Sequence, residues 1–102
     1  MRKDEALKIA RVYAVRIREE IDADAKVYLS GSAARDEMHE GSDIDVAVIS
    51  EMFTADVIQN RVKLMLLSNE VDYDIEPHPI LLEDWADRTP FTRRIQEGGI
   101  PV

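Results

Sequence analysis

The sequence predicts a small α/β fold of the α+β kind, in which helices pack on one small mixed β-sheet. Helical and strand patterns alternate along the 102 residues in the order α-β-α-β-α-β-α-α, which is typical of helices layered on a small sheet. The chain has no internal repeat, linker or low-complexity segment, and its length is close to that of one domain. We therefore expect residues 1–102 to form a single domain.

Two patterns predict the first helix and the first strand. From Asp4, a candidate N-cap, to about residue 20, apolar residues recur at the spacing of one helical face. Residues 26–29 form a short β-prone run that predicts a buried strand, and residues 32–37 follow as a short helix. The inward face of the first helix is predicted to hold Ala6, Ile9, Ala10, Tyr13, Ala14 and Ile17.

The middle of the chain contains the strongest strand pattern. Residues 42–49 begin with polar and apolar residues in alternation and become almost wholly apolar, as a central strand does when its far end is covered. Thr54 is the candidate cap of a helix that runs to about Ser68. The inward stripe of this helix is predicted to comprise Ile58, Val62, Met65 and Leu66.

A third strand and two helices complete the predicted order. Residues 71–76 read as a strand that ends at Pro77 and Pro79. A short acidic helix is expected over residues 82–86, and a last helix follows residue 90 and stops at the glycine pair 98–99.

Composition and charge exclude several classes of function. The net charge of −8 and the pI of about 4.7 would repel nucleic acid, so we expect no direct nucleic-acid binding. Divalent cations held by carboxylates reverse this repulsion locally, so phosphate chemistry stays open. The absence of cysteine excludes disulfides and thiolate metal sites. Because no signal peptide or membrane-length apolar run is present, we expect a cytoplasmic protein with no membrane contact.

Gly31 and Ser32 mark a candidate phosphate site. They follow a predicted strand and open a helix, where free backbone N–H groups and a hydroxyl can face one anion. The alternative is an ordinary strand-to-helix turn, with glycine supplying a permissive backbone and serine capping the helix.

Asp43 and Asp45 are the candidate metal ligands. Residues two apart in a strand point to the same face, so both carboxylates can converge on hard cations. Aspartate is unfavourable in strands, and two of them opening an apolar strand therefore indicate a function. The alternative is a solvated strand end with two acids that bind nothing.

The third predicted strand offers further carboxylates. Asp72, Asp74 and Glu76 share one face of it, while the residues between them point to the core. Asp72 is best explained as a solvated residue near the preceding turn. Strand register cannot be read from one sequence, so Asp74 and Glu76 both remain candidates for a third metal ligand.

The combined motif points to a known family. Gly-Ser after a strand, an arginine on the next helix, and Ser-Asp-Ile-Asp at residues 42–45 together resemble the signature of the DNA polymerase β nucleotidyltransferase superfamily. The resemblance is specific over residues 31–48 and weaker at residues 75–79 and 91–99. With 102 residues, the chain looks like the minimal nucleotidyltransferases of bacteria and archaea.

This resemblance implies a set of site residues. Asp43 and Asp45 would be catalytic and hold two Mg²⁺ (or Mn²⁺) ions. Glu76 would be the third catalytic carboxylate, because the Ile-Glu-Pro segment resembles family members with an acid at this point, and Asp74 is the alternative metal ligand. Nucleotide contacts would come from Gly31, Ser32, Arg35 and Ser42.

Some residues near the motif have simpler interpretations. Arg35 can be a surface arginine paired with Asp36 or Glu40. Many family members have glycine after the motif arginine, where this chain has Asp36. His39 is interpreted as a solvated loop residue, and His78, between two prolines, as a structural one.

The resemblance also implies a reaction and a partner. The reaction would be in-line transfer of a nucleoside monophosphate, AMP from ATP, to a protein or small-molecule acceptor. The alternative is an antitoxin or regulatory nucleotide-binding subunit, with little activity alone, that pairs with a helical protein of the HEPN type. Self-association is a further expectation because the core is small. A glycosyltransferase fragment would also use Asp-x-Asp, but its site normally needs a much larger domain.

Overall fold

Helices and a small mixed sheet make up the computed structural model, which describes residues 3–38 and 41–102. This agrees with the predicted fold class. None of the helices in these two ranges is both long and apolar enough to cross a membrane. The elements are α1 (Lys3–Glu20), β1 (Lys26–Ser30), α2 (Gly31–Ala34), β2 (Ile44–Ser50), α3 (Val57–Asn69), β3 (Ile75–Leu81), α4 (Leu82–Asp87), α5 (Pro90–Gly98) and β4 (Ile100–Pro101).

The sheet has the strand order β3-β2-β1-β4. Strand β1 pairs antiparallel with β2 and β4, whereas β2 and β3 are parallel. The end of β1 and the beginnings of β2 and β3 therefore lie side by side, at one end of these strands. There Ser30 lies opposite Asp45, which in turn lies opposite Glu76.

Helices cover both faces of the sheet. On one face, α1 and α3 pack over the larger core, which includes Tyr13, Leu29 and Val46. On the other face, α4 and α5 pack over a smaller cluster, in which the Tyr28 and Trp85 rings are 5.2 Å apart. Because side chains alternate along a strand, every second residue of β2 faces the smaller cluster.

Strand β3 lies later in the chain than expected, so the prediction of residues 71–76 is wrong. The backbone N–H of Ile44 donates to the carbonyl of Asp74 at 2.8 Å. Since backbone groups alternate in direction along a strand, Pro77 and Pro79 turn their nitrogens to the open edge. The prolines therefore cost no hydrogen bond to β2, and they do not end the strand.

Helix α3 turns a different face to the core from the one predicted. Asn60 lies on the buried face, where its Nδ2 donates to the Thr54 carbonyl at 2.7 Å and its Oδ1 accepts from the Thr54 N–H at 3.0 Å. A buried amide satisfied in this way is stable in the interior. The buried residues are Asn60, Leu64, Leu67 and Ser68, whereas the predicted stripe of Ile58, Val62, Met65 and Leu66 is exposed.

Helix starts and one short strand also differ from the prediction. Asp4 lies within the first turn of α1 and is not its N-cap. Helix α3 is capped by Asp56, whose side chain accepts from the Gln59 N–H at 3.0 Å, and not by Thr54. Strand β4 was not predicted, because two residues carry no strand pattern.

Tyr13 links α1 to α3 through a hydrogen bond, and its removal should lower the stability of the fold. Its fully buried hydroxyl donates to the Leu64 carbonyl at 2.8 Å. Burial raises the pKa of this hydroxyl, against a smaller opposing effect of a hydrogen bond with Ser68. Replacing Tyr13 with phenylalanine removes the bond and should lower the free energy of unfolding by about 1 kcal/mol near neutral pH.

The raised pKa also predicts a pH dependence. Above about pH 10 the unfolded tyrosine loses its proton while the folded one keeps it, so stability falls as pH rises. Urea unfolding at neutral and alkaline pH should show a smaller alkaline loss in Tyr13→Phe than in wild type. Tyr73→Phe is the control, because Tyr73 is 84% exposed. An equal alkaline loss in Tyr13→Phe and wild type would contradict the prediction.

Candidate functional site

A cleft of about 610 Å³ opens at the end of the sheet where β1 ends and β2 begins. This volume is within the usual range of ligand pockets. One wall comes from α2 and the other from α5, with β2 and β3 between them. The lining residues are Ser30, Gly31, Ala34, Arg35, Asp45, His78, Phe91, Arg94, Ile95, Glu97, Gly98 and Gly99.

Asp45 is the centre of a three-residue cluster in this region. Its Oδ1 lies 3.1 Å from Nε2 of His78, and the two side chains are 27% and 25% exposed. One ligand atom from each of Asp45, Glu76 and His78 lies within 4.8 Å of the others. The parallel register explains this cluster, since Asp45 is level with Glu76, and His78 follows two residues later on the same face.

The cluster has the chemistry of a divalent metal site. Carboxylate oxygens suit Mg²⁺ and Mn²⁺, and an imidazole nitrogen favours transition metals. All three side chains keep contact with solvent, since Glu76 is 44% exposed and the other two about a quarter, so an ion and a substrate can reach them. The donor set therefore fits a divalent cation.

Position 31 requires glycine, because its backbone lies very close to the side chain of Asp45. It has a φ of +64°, which is unfavourable for residues with a side chain. A Cβ atom added to Gly31 would overlap Oδ2 of Asp45. The glycine thus lets the backbone of α2 contact the carboxylate directly.

The other predicted carboxylates lie outside the cluster. Asp43 is exposed and precedes β2. Asp74 is exposed in the turn before β3, where its N–H donates to Oδ1 of Asp72 at 2.8 Å. Neither belongs to the group formed by Asp45, Glu76 and His78.

The predicted nucleotide contacts are only partly brought together. Gly31 and Arg35 line the cleft. Ser32 and Ser42 are half-buried and are not among the described residues that line it. Arg35 pairs with Glu37 at 3.1 Å, and not with Asp36.

Asp36 explains why the predicted helix over residues 32–37 is shorter. Helix α2 ends at Ala34, and Asp36 has a φ of +58°. This left-handed conformation suits glycine best but is tolerated by aspartate. Asp36 therefore ends α2 through its backbone conformation. His39 and Glu40 lie outside the described residues.

Of the lining residues, only Gly31, Arg35 and Asp45 were assigned to the site by sequence reasoning; those that were not include Ser30, His78, Phe91 and Arg94. His78 shares the strand parity of Glu76, which was a usable signal, but the flanking prolines hid the strand. Phe91 lies edge-on to His78 with the ring centroids 6.0 Å apart. Arg94 makes no hydrogen bond or ion pair with residues 3–38 or 41–102, so its charge is available to an anion.

The contact between Gly31 and Asp45 predicts unequal effects of two glycine substitutions. Gly31 and Gly41 have φ values of +64° and +85°, where a Cβ costs about 1–2 kcal/mol. Only Gly31 adds an overlap with Asp45, whereas no atom of residues 3–38 or 43–102 lies within 4 Å of a Cβ at Gly41. Gly31→Ala should therefore lower the free energy of urea unfolding more than Gly41→Ala does. Equal losses would show that the backbone does not touch Asp45.

One comparison with known proteins gives the family, and another gives a similar fold. The sequence profile described as the nucleotidyltransferase domain matches residues 13–96. The fold is similar to that of a Sulfolobus solfataricus protein provisionally described as a nucleotidyltransferase, with a crystal structure at 1.40 Å resolution. The TM-score is 0.67 and the identity 17%, over 97% of this chain and 80% of that one; this likeness concerns the fold alone. No match is found among curated protein sequences.

Proposed function

We propose that this chain, which belongs to the nucleotidyltransferase domain family, transfers AMP from ATP to a protein or small-molecule acceptor. The observation that carries this proposal is the position of Asp45. It lies in a cleft of about 610 Å³, against the backbone of Gly31 and beside a second carboxylate and an imidazole. A triphosphate bound to a divalent cation fits such a site.

The metal-binding residues in this proposal are Asp43, Asp45 and Glu76, with His78 as an added ligand and Asp74 as the alternative third acid. Asp45, Glu76 and His78 are close enough to share one ion, and Asp43 is two residues before Asp45 in the chain. When bound, Mg²⁺ or Mn²⁺ supplies positive charge that offsets the charge of the phosphates and of the leaving group.

The nucleotide would occupy the cleft between α2 and α5. Gly31 and Arg35 would contact the phosphates from one wall and Arg94 from the opposite wall. Ser32, in α2, and Ser42, two residues before β2, would add their hydroxyls to the phosphate contacts. An acceptor oxygen forms a bond to the α-phosphorus, and the bond from that phosphorus to the bridging β-phosphate oxygen breaks. Pyrophosphate leaves with the electron pair, and the acceptor loses its proton. The cleft would orient these groups in line.

The metal site is tested by replacing the two candidate third acids separately. ATP should bind only with Mg²⁺ or Mn²⁺, because a site built from acids repels bare phosphates. Glu76→Gln should weaken metal-dependent ATP binding and abolish transfer, whereas Asp74→Asn, outside the cluster, should stay near wild type. Calorimetry and transfer of α-phosphate label measure both effects.

Several outcomes would contradict this metal site. Equal ATP binding in EDTA would exclude a metal bridge. If Asp74→Asn lost metal-dependent ATP binding and transfer while Glu76→Gln kept both, Asp74 and not Glu76 would be the third metal ligand. Full transfer by Asp45→Asn would show that the site lies elsewhere.

Arg94 and Arg93 provide a matched pair for the nucleotide site. Both are exposed arginines of α5, but only Arg94 lines the cleft. A charge-assisted hydrogen bond to phosphate contributes about 1.5–3 kcal/mol, so Arg94→Ala should weaken metal-ATP binding by about tenfold or more. Arg93→Ala should bind as wild type does. Equal weakening in both variants would indicate general electrostatic attraction and not a contact of Arg94.

A second role is favoured by one observation, the exposed apolar face of α3. The chain would then be an antitoxin or regulatory nucleotide-binding subunit paired with a helical protein of the HEPN type, with little transfer activity alone. The transfer assay with the chain alone and with a co-expressed partner separates the roles. Full activity of the isolated chain, unchanged by the partner, would exclude this one.

A further inference from the structure

The outer surface of α3 carries an apolar stripe that consists of Ile58, Val62, Met65 and Leu66. We call it the α3 stripe. Its residues are exposed to 77%, 43%, 44% and 66%, respectively. The opposite face of the same helix is buried against the sheet and α1. A solvated helix normally presents polar residues on its outer face, so this stripe is unusual for a surface that faces only water.

The spacing of the α3 stripe is that of a helix-recognition surface. Its members follow one another at intervals of four, three and one residues, which places them along one side of the helix. Helical partners read such i, i+4, i+7 anchors through their own apolar stripe. Contiguous exposed apolar patches of this kind usually mark interaction sites.

The charge around the α3 stripe identifies the kind of partner. Arg61 lies one turn from Ile58 and Met65 along one edge, and Lys63 lies three residues before Leu66 along the other. Both are exposed. The 13 residues of α3 include no acid, although the whole chain has 21 acids and a net charge of −8. The stripe is thus bordered by positive charge on a negatively charged molecule.

These borders disfavour a second copy as the occupant. Two copies packed symmetrically through α3 would place Arg61 and Lys63 of both chains together, and like charges at an interface are repulsive. An acidic helix would meet Lys63 along one edge and, along the other, Arg61, whose guanidinium also lies 3.8 Å from Glu76. Burial of apolar residues would then stabilise the complex, and the carboxylates of the partner helix would determine its orientation and specificity.

We propose that the α3 stripe docks an amphipathic helix of another protein whose apolar residues are flanked by aspartate and glutamate. This inference deepens the second role proposed above, and it does not depend on nucleotide transfer. Arg61 also lies 3.8 Å from Glu76, so the tests below leave Arg61 unchanged to keep the metal site intact.

The experiment uses two synthetic helical peptides of about 18 residues, long enough to form a helix when stapled. Both carry leucines at i, i+4, i+7 and i+11; one has glutamates at the flanking positions and the other lysines. Fluorescence anisotropy measures their binding to the full chain. The glutamate peptide should bind about tenfold or more tightly than the lysine peptide, and Lys63→Glu should remove most of this preference.

Val62 and Val15 provide the matched control. Both are exposed valines, to 43% and 53%, but Val15 lies on α1. Val62→Ser should weaken binding of the glutamate peptide by about tenfold, and Val15→Ser should not. Metal-dependent ATP binding and thermal unfolding, measured on the same variants, should be unchanged, so that failure of docking and failure of the nucleotide site remain distinguishable.

Three results would overturn the proposal. One is that neither peptide binds, or that both bind equally. Another is that Val15→Ser weakens binding as much as Val62→Ser. The third is a stable dimer in light scattering that Val62→Ser dissociates, because the occupant would then be a second copy.

Discussion

The contact between the backbone of Gly31 and the carboxylate of Asp45 sets the geometry of the whole site. It forms because β1 ends where β2 begins, so that Ser30 is paired with Asp45 across the antiparallel ladder. The next residue turns into α2 with a positive φ and passes directly over the carboxylate. The parallel register then brings Glu76 level with Asp45. One strand pairing on each side of β2 therefore assembles residues that lie far apart in the chain.

This arrangement gives an acidic protein both cation-binding and anion-binding groups in one cleft. The cleft joins the carboxylate of Asp45 to Arg35 and Arg94 on opposite walls. The carboxylates favour a divalent cation, and the arginines favour an anion, so a metal-bound triphosphate satisfies both. The net charge of −8 acts at longer range and discourages binding of nucleic acid.

The sequence was informative where a residue type is explained by local chemistry alone. Gly31 is a candidate because it follows a strand and opens a helix, and Asp45 because aspartate is unfavourable in strands; both line the cleft. Prediction was weaker where tertiary contacts decide. The prolines of β3 appeared to end a strand, because its position at the sheet edge cannot be read from one sequence, and this concealed His78. Helix α3 carries apolar residues on two faces, and the buried face is the one that also carries Asn60, whose amide is satisfied by Thr54.

The central claim is that Asp45 holds a metal ion that carries a nucleotide in the cleft between α2 and α5. The most direct measurement is a crystal structure with Mn²⁺ and a non-hydrolysable ATP analogue, with the ion located by anomalous scattering. The account predicts Mn²⁺ bonded to Asp45 and Glu76, with the phosphates of the analogue against Gly31. An ion and nucleotide bound away from this cleft, or an Asp45 that makes no bond to the ion, would contradict it.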